Sequence, residues 1–171
     1  MSSQPKPSQS KSKDRKSAEP KSTESQSAES PTAGRKPWYA DGLRFHCTQC
    51  GDCCTGAPGF VWVNQEEIAA IAENRGETDL AAFEAEYVRT VGARKSLIEH
   101  SNGDCVFFDS QTRKCQVYHA RPRQCRTWPF WDSNLKTPED WKHTCEVCPG
   151  SGQGKLHLVE HIEAQRKIVK V

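Results

Sequence analysis

The pattern of apolar and polar residues changes sharply near residue 37. The first 36 residues contain no Leu, Ile, Val, Phe, Tyr, Trp or Cys and consist mainly of Ser, Lys, Pro, Glu and Gln. Such a segment cannot bury enough apolar surface to offset the entropy lost on ordering, so we predict a disordered tail over 1–36. Residues 37–171 carry the apolar positions and are long enough to form one domain with a modest core.

Helix-capping residues and the spacing of apolar residues predict two helices early in this domain. A short apolar run, FVWV at 60–63, predicts a strand. Asn64 follows it, and Glu67 three residues later completes a capping box, which predicts a helix that ends near Gly76. Asp79 caps a second predicted helix. The apolar faces are Ile68, Ile71 and Ala72 in the first helix and Leu80, Phe83 and Tyr87 in the second.

Short elements are predicted for the rest of the chain. SLIEH at 96–100 indicates a strand, and VFF, DSQTRK and CQVY within 106–118 indicate a hairpin. Thr137 and Pro138 begin a helix that carries Cys145 and Cys148 at its far end, since Pro favours the first helical position. We predict a terminal amphipathic helix over 155–171, with Leu158, Ile162, Gln165 and Val169 on one side. The expected fold is a small, irregular, metal-centred α+β domain of short helices and hairpins.

Charge is divided unevenly between the two parts. Residues 1–36 hold eight basic and four acidic side chains, which leaves 16 basic and 18 acidic residues of the 24 and 22 in the whole chain. The basic segment is interpreted first as a solubilising tail, and contact with nucleic acid is not favoured. Neither an export signal nor an apolar run of about 18–20 residues is present. We therefore expect a cytoplasmic protein that does not enter the membrane.

The highest density of cysteines is in CTQCGDCC at 47–54, and all nine cysteines of the chain lie between residues 47 and 148. A disulfide framework needs an oxidising compartment, and an odd number leaves one thiol unpaired. A thioredoxin-like redox pair needs a strand before the motif, and no strand is predicted there. Metal binding is therefore the favoured interpretation, ahead of disulfides, thiol redox catalysis and free thiols.

Spacing explains why these thiols suit a metal. Two residues between cysteines let both sulfurs face one ion, and Gly51 tolerates the positive φ of such a turn. Cys47, Cys50 and Cys53 form two overlapping pairs, an arrangement found at three corners of an iron–sulfur cubane. Their fourth ligand is either Cys54 or a distant cysteine such as Cys148, which precedes a proline.

Together with CTQCGDCC, the stretches GDCVFFDSQTRKCQVYHARPRQCRTWPF and CPGSGQG resemble the bacterial cysteine-cluster family named after CxxCxxCC (the YkgJ-type family). The resemblance covers about residues 45–154 and implies a zinc- or iron-chelating domain. The cysteines that match its pattern are Cys47, Cys50, Cys53, Cys54, Cys105, Cys115, Cys125 and Cys148. Tyr118, Arg121, Pro122, Arg126, Pro129 and Phe130 match its other fixed positions, whereas Cys145 has no counterpart.

Eight thiols permit two four-thiolate sites, with either zinc or an iron–sulfur cluster as cofactor. Adjacent Cys53 and Cys54 are expected to point in different directions, which favours two centres. One hypothetical partition places Cys47, Cys50, Cys53 and Cys148 in the first centre and Cys54, Cys105, Cys115 and Cys125 in the second. His46, His119 and His143 are alternative ligands that we do not favour.

Two functions stay open at this level. One is a redox-active or catalysis-supporting iron–sulfur protein with an unidentified protein or redox partner. The other is a structural zinc module that binds a protein or nucleic acid. Arginines and aromatics in RPRQCRTWPFW at 121–131 either shield the metal and offset its charge or form an RNA-binding face, the less favoured interpretation. No motif predicts a catalytic residue or a substrate.

Overall fold

The computed structural model describes residues 36–171, so the tail predicted over 1–36 lies almost wholly outside the described residues. The strands are β1 (Leu43–Phe45), β2 (Val61–Val63), β3 (Val88–Val91), β4 (Arg94–Leu97), β5 (Phe108–Asp109), β6 (Lys114–Cys115) and β7 (Lys155–His157). The α-helices are α1 (Gln65–Arg75), α2 (Leu80–Tyr87), α3 (Arg123–Thr127), α4 (Asp132–Leu135), α5 (Pro138–Val147) and α6 (Val159–Arg166). Short 3-10 helices span Asp52–Cys54 and Tyr118–Ala120.

Short helices and three small antiparallel sheets confirm the predicted α+β class. The sheets contain β1 with β7, β2–β4–β3 in that order, and the hairpin β5–β6. The predicted hairpin is therefore present, although each of its strands is only two residues long. The strand predicted at 96–100 lies earlier, at Arg94–Leu97, because β4 pairs with both of its neighbours over that range.

A first hydrophobic core forms beneath the three-stranded sheet. Asn64 and Glu67 form the predicted capping box of α1, and Asp79 accepts hydrogen bonds from Ala81 and Ala82 at the start of α2. These helices pack their apolar faces on the sheet and on the hairpin. The buried members of this first core are Val63, Ile68, Ile71, Ala72, Phe83, Leu97, Phe107 and Val117.

A second core joins the two ends of the described chain. Thr137 and Asp140 form a capping box that starts α5, which confirms the predicted helix. Its Trp141 is buried with residues from α4, α6 and the segment before β1. The buried members of this second core are Tyr39, Leu43, Phe130, Leu135, Trp141 and Ile162.

The prediction of one helix over 155–171 was wrong. Lys155–His157 forms β7, which pairs with β1, and the helix starts only at Val159. Gly152 and Gly154 have positive φ, so the chain turns there and meets a partner more than 100 residues earlier. Leu158 is consequently 59% exposed while Ile162 and Val169 are buried.

Within residues 36–171, each helix is too short or too polar to cross a bilayer.

Candidate metal centre

The loop that carries the first four cysteines is fixed against the β5–β6 hairpin. Gly51 adopts φ +82°, the positive φ predicted for it. A Cβ at this position would collide with the Phe108 ring and lie 2.7 Å from the carbonyl oxygen of Arg113. Arg113 also donates a hydrogen bond to the carboxylate of Asp52. Only glycine therefore lets the loop approach the hairpin this closely.

Backbone contacts bring the next cysteines to the same loop. The amide nitrogen of Cys105 donates to the carbonyl oxygen of Cys54 over 2.8 Å. Cys115 lies on β6, directly across from Phe108 on β5. Cys125 lies on α3, beside Gln124, whose side-chain amide bonds the backbone of β2. Loop, hairpin and helix thus converge on one side of the first core.

Cys148 reaches the loop from the second core. It caps the C-terminus of α5, and the turn after it places the carbonyl oxygen of Gly150 3.2 Å from the amide nitrogen of His46. A Cβ at Gly150 would collide with the carbonyl oxygen of His46. Glycine is thus required for the turn to lie next to the start of the cysteine loop.

All eight cysteines of the predicted set line a single cleft of about 710 Å³, a volume that includes its open mouth. These residues are Cys47, Cys50, Cys53, Cys54, Cys105, Cys115, Cys125 and Cys148. Other parts of its wall are mainly apolar, with Leu97, Phe107 and Val117 from the first core and Phe45 beside the second. Cys145 does not line the cleft. The cleft therefore lies where the two cores meet.

Five thiols interact with one another, and we call them the five-thiol group: Cys53, Cys54, Cys105, Cys115 and Cys125. The Sγ atoms of Cys53 and Cys54 are 4.0 Å apart. The expectation that these neighbours point apart was therefore wrong, because the 3-10 turn over Asp52–Cys54 keeps both side chains on the cleft.

Neighbouring thiols shift one another's pKa values within the five-thiol group. The contact with Cys54 lowers the pKa of Cys53, and it lowers that of Cys115 to about 7. The same contacts raise the pKa of Cys54. Burial raises the pKa of Cys105 to about 11 and also raises that of Cys125. Ionising the whole group therefore requires a compensating positive charge.

The other three cysteines of the cleft form the three-thiol group: Cys47, Cys50 and Cys148. The neighbouring Cys47 raises the pKa of the Tyr118 hydroxyl. Burial, together with the nearby Cys148, raises the pKa of Cys145. Trp128 donates its indole N–H to the Sγ of Cys148 over 3.3 Å. This indole resembles the donors that orient metal ligands from outside the coordination sphere.

Arginines and aromatics of 121–131 lie in different surroundings. Arg121 and Trp128 line the cleft, whereas Arg123 pairs with Glu67 at 3.8 Å. Phe130 is buried in the second core, and the Trp131 indole N–H is bonded to the carbonyl oxygen of Gln124. Of the arginines and aromatics in this segment, Arg121 and Trp128 are the ones that lie beside the thiols.

None of the three candidate histidines lines the cleft. His46 and His119 are exposed and absent from the cleft wall, and His143 is exposed and lies 3.1 Å from Glu146. Sequence reasoning missed Gly150, whose role depends on a contact with the distant His46. The only local signal for it is the Pro-Gly pair after Cys148.

The donor set fits a soft metal or a cluster. Thiolates prefer zinc, copper(I) and iron–sulfur clusters over hard cations. Among residues 36–171, no three His, Cys, Asp or Glu side chains already converge closely enough to hold one ion. The sulfurs thus surround the cleft without meeting at a point, and binding a metal would draw them inward.

Comparison with known proteins agrees with this chemistry. Residues 46–149 match the CxxCxxCC family, described as "Putative zinc- or iron-chelating domain". The chain is also 34% identical over 94 residues to uncharacterized protein MJ0661 of Methanocaldococcus jannaschii, an alignment that covers 54% of this chain and 48% of the relative. The chain thus spans about half the length of that curated relative. No solved structure matches the chain. Because the family match covers more than half of its residues, the chain belongs to the CxxCxxCC family.

Proposed function

We propose that this protein binds iron as an iron–sulfur cluster in the cysteine-lined cleft and uses it in electron transfer or in support of an enzymatic step. The observation that carries the metal-binding part is the convergence of eight separate thiols on one cleft. Partly buried thiols with raised pKa values, such as Cys105, are costly to ionise without a cation nearby. A bound metal supplies that cation.

The three-thiol group, taken together with Cys53 of the five-thiol group, supports the iron–sulfur choice. Cys47, Cys50 and Cys53 are the overlapping pairs typical of a cubane, and Cys148 lies on the same cleft as a fourth ligand. The indole N–H of Trp128 points at the Cys148 sulfur, and such hydrogen bonds tune the reduction potential of clusters. When bound, a cluster supplies one-electron chemistry. The surrounding residues hold the sulfurs and limit the access of water.

One observation favours zinc as the second candidate. Tetrahedral zinc with Zn–S bonds of about 2.3 Å places its sulfurs about 3.8 Å apart. The 4.0 Å between the Sγ atoms of Cys53 and Cys54 is close to this edge length. In a cubane each thiolate binds a different iron atom, so neighbouring ligands lie farther apart. Zinc would make the domain a structural module that presents its surface to a partner.

Partners and location remain part of the proposal. For an iron–sulfur protein we expect an unidentified redox partner in the cytoplasm. A zinc module would instead bind a protein or, less favoured, a nucleic acid. The absence of a bilayer-crossing helix in residues 36–171 is compatible with both.

Elemental analysis tests the proposal directly. The full chain is purified without oxygen and without added metal, and iron, zinc and acid-labile sulfide are measured per chain. Four or more irons with equal sulfide, and a visible absorbance that bleaches on reduction, would support the iron–sulfur proposal. One or two zinc ions without iron would favour the zinc module. A metal-free folded protein with intact thiols that also fails to take up added metal would refute both.

A further inference from the structure

Arg121 holds a distinctive place in the cleft. Of the described residues that form the cleft wall, it is the one with a cationic side chain, and it shares that wall with eight cysteines. The nearby Arg113 and Arg123 instead pair with Asp52 and Glu67. Arginine stays protonated under all ordinary conditions, so its charge in the cleft is permanent.

The guanidinium is held in place by the Tyr118 residue. Its Cζ lies 3.6 Å from the centre of the Tyr118 ring, and its Nε donates to the Tyr118 carbonyl oxygen over 2.8 Å. Pro122 is fully buried directly after it. Arg126 donates to the Arg121 carbonyl oxygen over 2.6 Å, which fixes the backbone as well. These contacts fix both the side chain and the backbone of Arg121 at the wall of the cleft.

This stacked pair forms part of the wall of the cleft. Tyr118 and Arg121 line it together with the cysteines of both the three-thiol and the five-thiol groups. The permanent positive charge of Arg121 therefore lies on the surface that all eight sulfurs share.

The negative charge of metal-bound thiolates explains why a cationic side chain is needed beside them. Four thiolates around one zinc ion leave a net charge of about −2, and burying that charge is costly. We propose that Arg121, stacked on Tyr118, is a positioning residue that compensates the charge of the metal-bound thiolates and thereby raises the metal affinity of the centre and, with iron, its reduction potential. This inference rests on the proposed function.

The test compares three variants of the metal-loaded full chain: Arg121→Gln, Arg121→Lys and the control Arg123→Gln, which changes an arginine outside the cleft. Metal affinity is measured by competition with a chelator. Loss of a charged partner outside the coordination sphere typically weakens binding about 10- to 100-fold. We expect that loss in Arg121→Gln, substantial recovery in Arg121→Lys, and no change in Arg123→Gln.

A second measurement separates charge from packing. If iron is bound, removal of the positive charge stabilises the oxidised cluster, so the midpoint potential of Arg121→Gln should be lower than that of Arg121→Lys. Equal affinity and potential in Arg121→Gln and Arg123→Gln would overturn the inference while leaving the proposed function intact. Should Arg121→Gln fail to fold, Arg121→Lys decides alone. Near-native affinity supports compensation by charge, and a loss as large as 10-fold overturns it. A wild-type chain that binds no metal would refute the proposed function itself.

Discussion

The five-thiol and three-thiol groups line the same cleft but are held there in different ways. The five-thiol group is attached to the first core, where Cys105 and Cys115 pack against buried side chains, and its members interact mainly with each other. The three-thiol group joins the cysteine loop to Cys148, which arrives from the second core on α5. The five-thiol group is therefore organised by one core, whereas the three-thiol group depends on how the two cores meet.

The largest expected effect is the removal of all metal, which tests whether the cleft joins the cores. A metal that binds only the folded state stabilises it by about 4 kcal/mol at 1,000 times its Kd. We expect the chelated protein to unfold at a clearly lower temperature by calorimetry. Chelator already saturated with metal is the control. An unchanged melting temperature after complete stripping would show that the cores hold together without the metal.

The next largest effects are expected from single cysteine variants, which test whether the two thiol groups bind metal separately. We expect Cys115→Ser to lose the metal of the five-thiol group and Cys148→Ser to lose that of the three-thiol group, each with the other centre retained. Cys145→Ser is the matched control from the same helix end, because Cys145 does not line the cleft. Metal is counted per chain by elemental analysis.

The same experiment decides how the neighbouring thiols are divided. With their Sγ atoms 4.0 Å apart, Cys53 and Cys54 can reach one ion. A zinc ion bound by both thiols predicts that Cys53→Ser and Cys54→Ser lose the same centre. Loss of different centres would agree with the partition inferred from sequence, in which Cys53 binds the cubane together with Cys47, Cys50 and Cys148. Complete loss of metal in every cleft variant would instead mean that the eight thiols form one centre.

A smaller effect is expected where the two cores come into contact. Gly150→Ala places a methyl group against the carbonyl oxygen of His46 and should separate Cys148 from the loop. Overpacking of this kind costs about 1–3 kcal/mol. Gly59→Ala is the control, since its nearest neighbour would be 4.0 Å away. Denaturant unfolding measures both variants, and equal midpoints would contradict the close approach.

The smallest expected effect concerns the indole above Cys148. Trp128→Phe keeps an aromatic ring in the cleft but removes the N–H donated to the Cys148 sulfur. A net loss of about 1 kcal/mol corresponds to roughly fivefold weaker binding at the three-thiol group. Trp131→Phe loses an indole bond to Gln124 outside the cleft and should leave metal affinity unchanged. Equal affinities in the two variants would contradict the role of this hydrogen bond.

Local signals made much of this fold predictable from sequence. The capping boxes at Asn64 and Thr137 and the cap at Asp79 each depend on residues within one helical turn. The spacing of Cys47, Cys50 and Cys53 likewise predicts that these three residues share one site, because a chelating turn is a local structure, whereas the other cleft cysteines were implied by the family resemblance. These features need no knowledge of the rest of the chain.

Contacts between distant segments were not predictable in this way. The pairing of β1 with β7 joins residues such as Leu43 and His157, and three-residue strands leave no clear alternation to detect. The side-chain amide of Gln124 forms hydrogen bonds with the backbone of Trp62 in β2 and of Phe60 just before it. No residue pattern in the sequence indicates such a contact. The direction of Cys54 depends on a 3-10 turn. In each case tertiary packing determined the outcome.

The contact between Gly150 and His46 also determines when the cleft can be completed during synthesis. At about 5–20 residues per second, a ribosome adds Cys148 roughly 5 to 19 s after Cys54. Throughout that interval the nascent chain carries four clustered thiols without the turn that completes their surroundings. A newly made molecule therefore acquires its full set of sulfurs only once Cys148 has been added, which makes the supply of metal and reductant up to that moment part of its maturation.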